Sequence, residues 1–528
     1  MRFNFLIPIF LLSGFFFNAF ATNHYIDKNA SGNNNGTSWN NAWQSFGAIN
    51  WNSIYPGDVI YISGSTNSLV YNEKLDILVS GASGDPITFT KSNESSHSGE
   101  VIIDVNQIFS HALDITGQDY IIVRDIHLRN AYDSVIKIKS SKNIHIENCY
   151  VHTTVRSGIN ISENENITIS GCTITTGQSI PHQTDGIYSQ NNVNNIYEYN
   201  HIVISNNDTG GHDDCIQSYR DASLTIRNNY TEQNNSKTTN AQGIYVTTPV
   251  GSDTTRIYNN IFNATLSSSN GIVFNRVTGS TSARVQIIGN TVYGENLSNQ
   301  YRAIGTTDPI IKNNIGYSIN GIWVFNLADV RFTDQSYIDN NIWKCSNNEP
   351  IIVNGSSESW NSWQASGFDL HSYLTDPQFQ NISEKNFRLK ETSDGIDNGQ
   401  YLHSPYNFDF DGKSRPRKSG WDIGAFEYDG EIPVDEENIL PESIVLHQNY
   451  PNPFNPSTTI SFTIPEDSNV KLSIFDLLGK QISVLVDSEF PAGTNYIPFN
   501  AGGLSSGIYF YRMETNNFVD MCKMIIMK

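Results

Sequence analysis

The sequence predicts an all-β protein: a long solenoid of short parallel strands followed by a small antiparallel β-sandwich. Two observations predict the solenoid. Short β runs recur with landmark residues at Asp125, Asn148, Gly171, Asn200, Asn228, Asn259, Gly289, Asn313 and Asn340, in steps of 23 to 31 residues. A second register, a small residue before Ile, falls at Gly158, Gly186, Cys215, Gly243 and Gly271 in steps of 28 or 29. The sandwich is predicted by the end of the chain, where apolar and polar residues alternate between Pro and Gly turns.

Met1 to Ala21 carries one basic residue, Arg2, then an apolar run and Ala19-Phe20-Ala21 as a cleavage site. That is the pattern of a secretory signal peptide. Later segments have no apolar run of about 20 residues, so a soluble exported product is expected. The net charge of −21 over 528 residues excludes nucleic acid as a partner, because a phosphate-binding face needs clustered Lys and Arg. It also disfavours acidic polysaccharides unless a cation or local Arg reverses the sign. Cys149, Cys172, Cys215, Cys345 and Cys522 show no CxxC spacing, which predicts free thiols rather than zinc or a disulfide framework. A monomer is expected.

The repeat period is that of a solenoid. Strands this short, split by Asn, Gly and Ser, cannot bury an apolar face alone, and parallel stacking lets each coil cover the next. The residue after each landmark runs Cys149, Cys172, His201, Asn229, Asn260, Asn290, Asn314, Asn341. Five successive Asn predict a ladder of side-chain amides along the axis.

On these residues the chain resembles the right-handed parallel β-helix proteins, the architecture of pectin-degrading enzymes and of many bacterial surface proteins. The coils are expected over 102–345. Residues 22–101, with GTSWNNAWQSF, YPGDVIYISG and GDPITFT, resemble an N-terminal cap with first coils, and 346–428, with DGIDNG and DIGAFEY, resemble a C-terminal closing segment. Residues 429–440 are acidic with Pro, as in a linker. From 441 to 528, NYPNPFNPST, IFDLLGK and LSSGIYFYR closely resemble the type A sorting domain of the bacterial type IX secretion system. That resemblance implies contact with the secretion machinery and a secreted or cell-surface location.

The chemistry is expected between His182 and Arg220. The registers place Asp185, Asp214 and Gln242 in one axial row, with Thr184, Asp213 and Ala241 in the row before, about 4.8 Å per coil. Ile187, Ile216, Ile244 and Ile272 should face inward. Alternation then turns Tyr188 and Gln190, Gln217 and Tyr219, and Tyr245 and Thr247 outward beside the acids, a lining suited to sugar rings and hydroxyls. Carboxylates this close should not all ionise independently unless a cation binds them.

TDGI followed by HDDCI resembles the motifs of polygalacturonase-type glycoside hydrolases. The resemblance implies Asp213 as general acid, with Asp185 and Asp214 handling the attacking water and no cofactor. The family's next-coil His is replaced by Gln242, and its Arg-Ile-Lys by Val273, Phe274 and Asn275; Arg220 or Arg276 could hold a sugar carboxylate instead. The same acids resemble the calcium cluster of β-helix pectate lyases, which implies Ca²⁺ on Asp185, Asp213 and Asp214 and elimination chemistry, with Arg220, His182 or His212 as base. Further substrate contacts are expected from His182, Tyr188, Gln190, His212, Gln217, Tyr219, Gln242 and Tyr245. A third reading is a surface glycan-binding or adhesive β-helix, in which Asp before a small residue forms turns and the two His cap them.

Overall fold

A computed structural model describes residues 21–430 and 444–526, apart from 154, 178–183, 206–212, 235–240, 249–253, 265–268, 277–283, 348, 403, 418, 447–448, 450–456, 478, 491–492 and 502–503. The predicted signal peptide thus lies outside the described residues, save its last. The chain divides into two compact units, Met1–Gly430 and Glu431–Lys528.

The first unit is the predicted parallel β-helix. Each coil gives one strand to each of three 12-stranded sheets. The first sheet begins with Asn23–Ile26 and ends with Tyr337–Asp339; the second runs from Ser68–Tyr71 to Tyr373–Leu374. The third runs from Leu75–Asp76 to Ser356–Glu358, its last pair antiparallel. Between strands, the landmark positions take left-handed backbone: Asp125, Asn148, Asn228, Asn259, Asn313 and Asn340 have φ of 51–60°, and Gly171 and Gly289 have 64° and 63°. Asn, Asp and Gly are the residues that adopt this region most readily, which explains their recurrence there.

One coil departs from the sequence alignment. Its left-handed residue is Tyr199, φ 54°, not Asn200. Ile196 pairs with Thr168, so Asn195 sits opposite Ile167 instead of Asn166. The slip buries Tyr197 completely, with its hydroxyl bonded to Asn195 and Ser189. Asn200 therefore takes the ladder position, and His201 moves to the outward strand position, paired with Thr173 and Tyr230.

The Asn ladder accordingly holds Asn200, Asn229, Asn260, Asn290, Asn314 and Asn341, all buried. Each of the first five takes its neighbour's Oδ1 on both backbone N–H and side-chain Nδ2; between Asn260 and Asn290 these are 2.9 and 3.0 Å. The ladder ends on Asp369, fully buried, which accepts from Asn341, Trp343, Trp363 and Ser372. The core between the sheets is lined by stacked aliphatics such as Ile187, Ile216, Ile244 and Ile272. Helix Trp360–Ala365, capped by Ser359, lays Trp363 over its end. All five cysteines are free, three of them buried in the stack.

The closing segment turns back along the landmark row. Asn228 donates to the carbonyls of Asp409 and Phe410, Asn259 to that of Phe408, Asn313 to that of Gln400 and Asn340 to that of Asn398. Arg415, buried, is held by Glu427 at 2.8 Å and by the carbonyls of Asp422 and Gly424.

The second unit is an antiparallel sandwich, as its alternation predicts. Three strands, Val445–Leu446, Ser457–Ile464 and Gly493–Asn500, form one sheet. Ser468–Phe475, Gln481–Phe490, Gly507–Glu514 and Val519–Ile526 form the other, and Ile460, Phe462, Leu472, Ile474, Tyr511 and Met513 fill the space between.

Candidate functional site

The predicted rows exist on the third sheet. Ile187, Ile216, Ile244 and Ile272 are in register, and Asp214 pairs directly with Gln242. Gly186, ahead of the first Ile, is there because a Cβ would lie 2.4 Å from Ile202 Cγ2 and 2.5 Å from the Cys215 carbonyl.

The three acids are brought together at the start of these strands, and all are buried: Asp185 is 3 % exposed, Asp213 and Asp214 0 %. Each spends an oxygen on the backbone of an adjacent coil. Asp185 Oδ1 accepts from the Asp214 N–H at 3.1 Å, Asp213 Oδ1 from Thr184 at 2.8 Å and Asp214 Oδ1 from Gln242 at 2.9 Å. Chemically this is an axial staple, the carboxylate counterpart of the Asn ladder. Gln233, from the second sheet, ties the same place from within, its Nε2 donating to the carbonyls of Asp213 and Gln242 at 2.8 and 2.9 Å.

Above the acids the outward positions carry Tyr188, Gln190, Gln217, Tyr219 and Tyr245, all half-buried. Tyr188 donates its hydroxyl to Gln190 at 3.1 Å, Asn275 donates to the Tyr245 hydroxyl at 2.9 Å, and the Arg220 guanidinium lies 5.2 Å from the Tyr219 ring centre. Burial, then the charge of Asp185, raises the pKa of the Tyr188 hydroxyl, which keeps it a neutral donor. One expectation on this face needs correcting: Thr247 is not turned to solvent but buried at 6 %, although it pairs with the outward Tyr219. Gln242, paired with Asp214, is 5 % exposed. His182 and His212 lie outside the described residues, as does the side chain of Arg276.

The three carboxylates turn their Oδ1 atoms to three separate amides, and among the described residues no group of three His, Cys, Asp or Glu side chains is disposed to hold a metal.

Sequence reasoning passed over a second feature, a cavity of about 490 Å³ against the second sheet. Its floor is Glu232, 2 % exposed, which accepts from Lys385 at 2.7 and 2.8 Å and from the Tyr230 hydroxyl at 3.0 Å. Tyr199, His201 and Phe410 complete its wall. The outward alternation of Tyr230 and Glu232 was visible in the sequence. Lys385, 153 residues away, was not.

Residues 58–230 match a family described as a right-handed β-helix region, and residues 448–527 match the secretion system C-terminal sorting domain. The C-terminal unit is thus a type IX sorting domain, which sends the protein to the cell surface or beyond it. No curated protein sequence matches the chain. Among solved structures, a GH136 lacto-N-biosidase from Eubacterium ramulus is similar at 11% identity and TM-score 0.38, over 67% of each chain. A polygalacturonase from Erwinia carotovora ssp. carotovora is similar at 13% identity and TM-score 0.32, over 70% of this chain and 97% of the other. The enzymatically active domain of tailspike protein 2 from bacteriophage CBA120 gives 11% identity and TM-score 0.21, over 96% and 71%.

Proposed function

Taking a right-handed β-helix exported by a C-terminal sorting domain as the premise, we propose that the protein acts on a polysaccharide laid along the outer face of the third sheet. One observation carries the reading: Tyr188, Gln190, Gln217, Tyr219 and Tyr245 form an outward aromatic and amide track over three successive coils, directly beside Asp185, Asp213 and Asp214. Tyrosine rings offer flat apolar faces to the C–H side of a pyranose, and glutamine amides match hydroxyls as both donor and acceptor.

The reaction proposed is hydrolysis of a glycosidic bond. Asp213, one residue out of the Asp185–Asp214 row, is the general acid that protonates the leaving oxygen, and its neighbours activate water on the opposite side of the sugar ring. Calcium-assisted elimination has weaker support, because among the described residues no group of three His, Cys, Asp or Glu side chains is disposed to hold a metal.

The burial of all three acids, each bonded to a neighbouring coil's amide, favours one second reading: the acids staple the coils and the same face binds glycan without cleaving it. The mature chain assayed on neutral and acidic polysaccharides, with reducing ends and unsaturated products both read, separates the two. Reducing ends without unsaturation, lost in Asp213→Asn and Asp214→Asn, carry the hydrolase. Glycan binding without turnover in a broad panel replaces it with the binder.

A further inference from the structure

The cavity over Glu232 lies on the second sheet, on a different wall of the helix from the acid cluster, and the reading of that cluster does not use it. It is built from middle coils of the unit and from its closing segment. Tyr230 and Glu232 stand outward from one coil and His201 from the coil before, paired with Tyr230 in register. Lys385 and Phe410 come from the closing segment, and Asn228 fixes Phe410 by donating to its carbonyl at 3.1 Å. An outward row leads into it along the same sheet: His127, Tyr150, Thr173, His201 and Tyr230, one from each coil. The rings in this row touch edge to face, His127 on Tyr150 at 4.3 Å and His201 on Tyr230 at 5.1 Å.

We propose that this cavity, with the row that enters it, is a second carbohydrate site that takes an uncharged pyranose unit of a glycan. Three properties select that ligand. First, aromatic side chains at Tyr199, Tyr230 and Phe410 line an open hollow of a size suited to a small ligand. Second, its polar groups are fixed before anything binds: both Glu232 oxygens are held by Lys385, and Tyr230 is braced between Glu232 and Asn263 at 3.0 and 3.2 Å. Fixed acceptors and donors around an apolar wall suit hydroxyls on a ring better than a flexible chain, since no side-chain entropy is lost on binding. Third, the charges cancel. Burial opposes ionisation of Glu232, but hydrogen bonds from Lys385, Asn234 and Tyr230 outweigh it and hold the carboxyl below its usual range. Partial burial, then Lys385, lowers the pKa of the His201 ring against the opposing pull of Glu232. In the neighbouring row, which runs from Asp104 to Glu232, Asp104 is likewise matched by Arg129 at 2.7 Å. Among the described residues that line the cavity, a uronate or a phosphate would meet no unmatched cation.

The test uses the mature full-length chain and ligand-observed saturation-transfer NMR with maltose, cellobiose, lactose and mannobiose, and digalacturonate as the charged probe. At least one neutral disaccharide should bind and digalacturonate should bind more weakly. Tyr199→Ala, at a side chain that is 50 % exposed, and Phe410→Ala should each weaken that binding at least tenfold. Asp214→Asn should leave it unchanged, which keeps this site's outcome separate from that of the acid cluster. Preference for digalacturonate, binding of none of the neutral probes, or full binding by Tyr199→Ala would each overturn the proposal.

Discussion

Replacing Asn260 with Ala tests whether the ladder is a structural spine. Asn260 sits 2 % exposed in the middle of it. Its Oδ1 accepts from Asn229 N at 3.0 Å and from Asn229 Nδ2 at 2.9 Å, and its Nδ2 donates to the carbonyls of Ile226 and Tyr258 at 2.9 and 3.1 Å and to Asn290 Oδ1 at 3.0 Å. Alanine would leave the Asn229 backbone N–H and the Ile226 side of the turn without these partners. At about 1–3 kcal/mol for each of these two buried groups left unsatisfied, the expected loss is about 2–6 kcal/mol. Asn260→Asp should be worse than Ala: it keeps the acceptor but turns a buried carboxylate oxygen toward two carbonyls and the Asn290 oxygen. Urea denaturation followed by far-ultraviolet circular dichroism on the full chain reads the loss in the β-helix transition, and native-state hydrogen exchange at Asn229 localises it. A cost below about 1 kcal/mol for Ala, or Asp better tolerated than Ala, would refute the reasoning.

Other perturbations have equally definite outcomes. Asp213→Asn and Asp214→Asn preserve an oxygen for Thr184 and Gln242, so melting should change little while glycosidase turnover falls roughly 10²–10⁴-fold, the usual worth of a general acid or base. Equal losses of melting temperature and turnover would make the acids structural. Gly186→Ala should cost about 1–3 kcal/mol by overpacking, since its Cβ would meet the Cys215 carbonyl and Ile202; an unchanged denaturation midpoint would contradict the close approach. The carboxyl of Glu427 is pushed up from 4.5 to about 7 by burial, which Arg415 offsets only in part. Because the folded pKa lies above the unfolded one, the native state binds more protons between pH 4.5 and 7, and stability should fall as pH rises through that window by roughly 3 kcal/mol. Glu427→Gln should flatten that slope in melting curves taken from pH 4.5 to 8, and a slope of opposite sign would refute it.

What the sequence revealed depends on how far apart the partners lie. The inward Ile row and the ladder from Asn229 to Asn341 were legible because each coil repeats the same residue in the same place. The slip at Tyr199 was not, because Asn195 matches Asn166 letter for letter, and only the burial of Tyr197 decides which neighbour it faces. The adjacency of Asp185 and Asp214 followed from the 29-residue step, but their use as acceptors for a neighbouring coil's amides depends on rotamers that a periodic pattern does not specify. The Glu232–Lys385 pair joins segments 153 residues apart, beyond the reach of any local period.

A stack in which each coil grips only the next opens like a zipper, one tooth at a time from either end. The returning segment changes that on one side. It clasps Asn228, Asn259, Asn313 and Asn340 with residues 398–410, so the coils between them share one fastening and must part together or not at all. Among the described residues the coils before Asn200 are without such a clasp. Peeling by force or by protease should therefore start among the early coils and stall where the clasp begins, at the coil that carries Glu232.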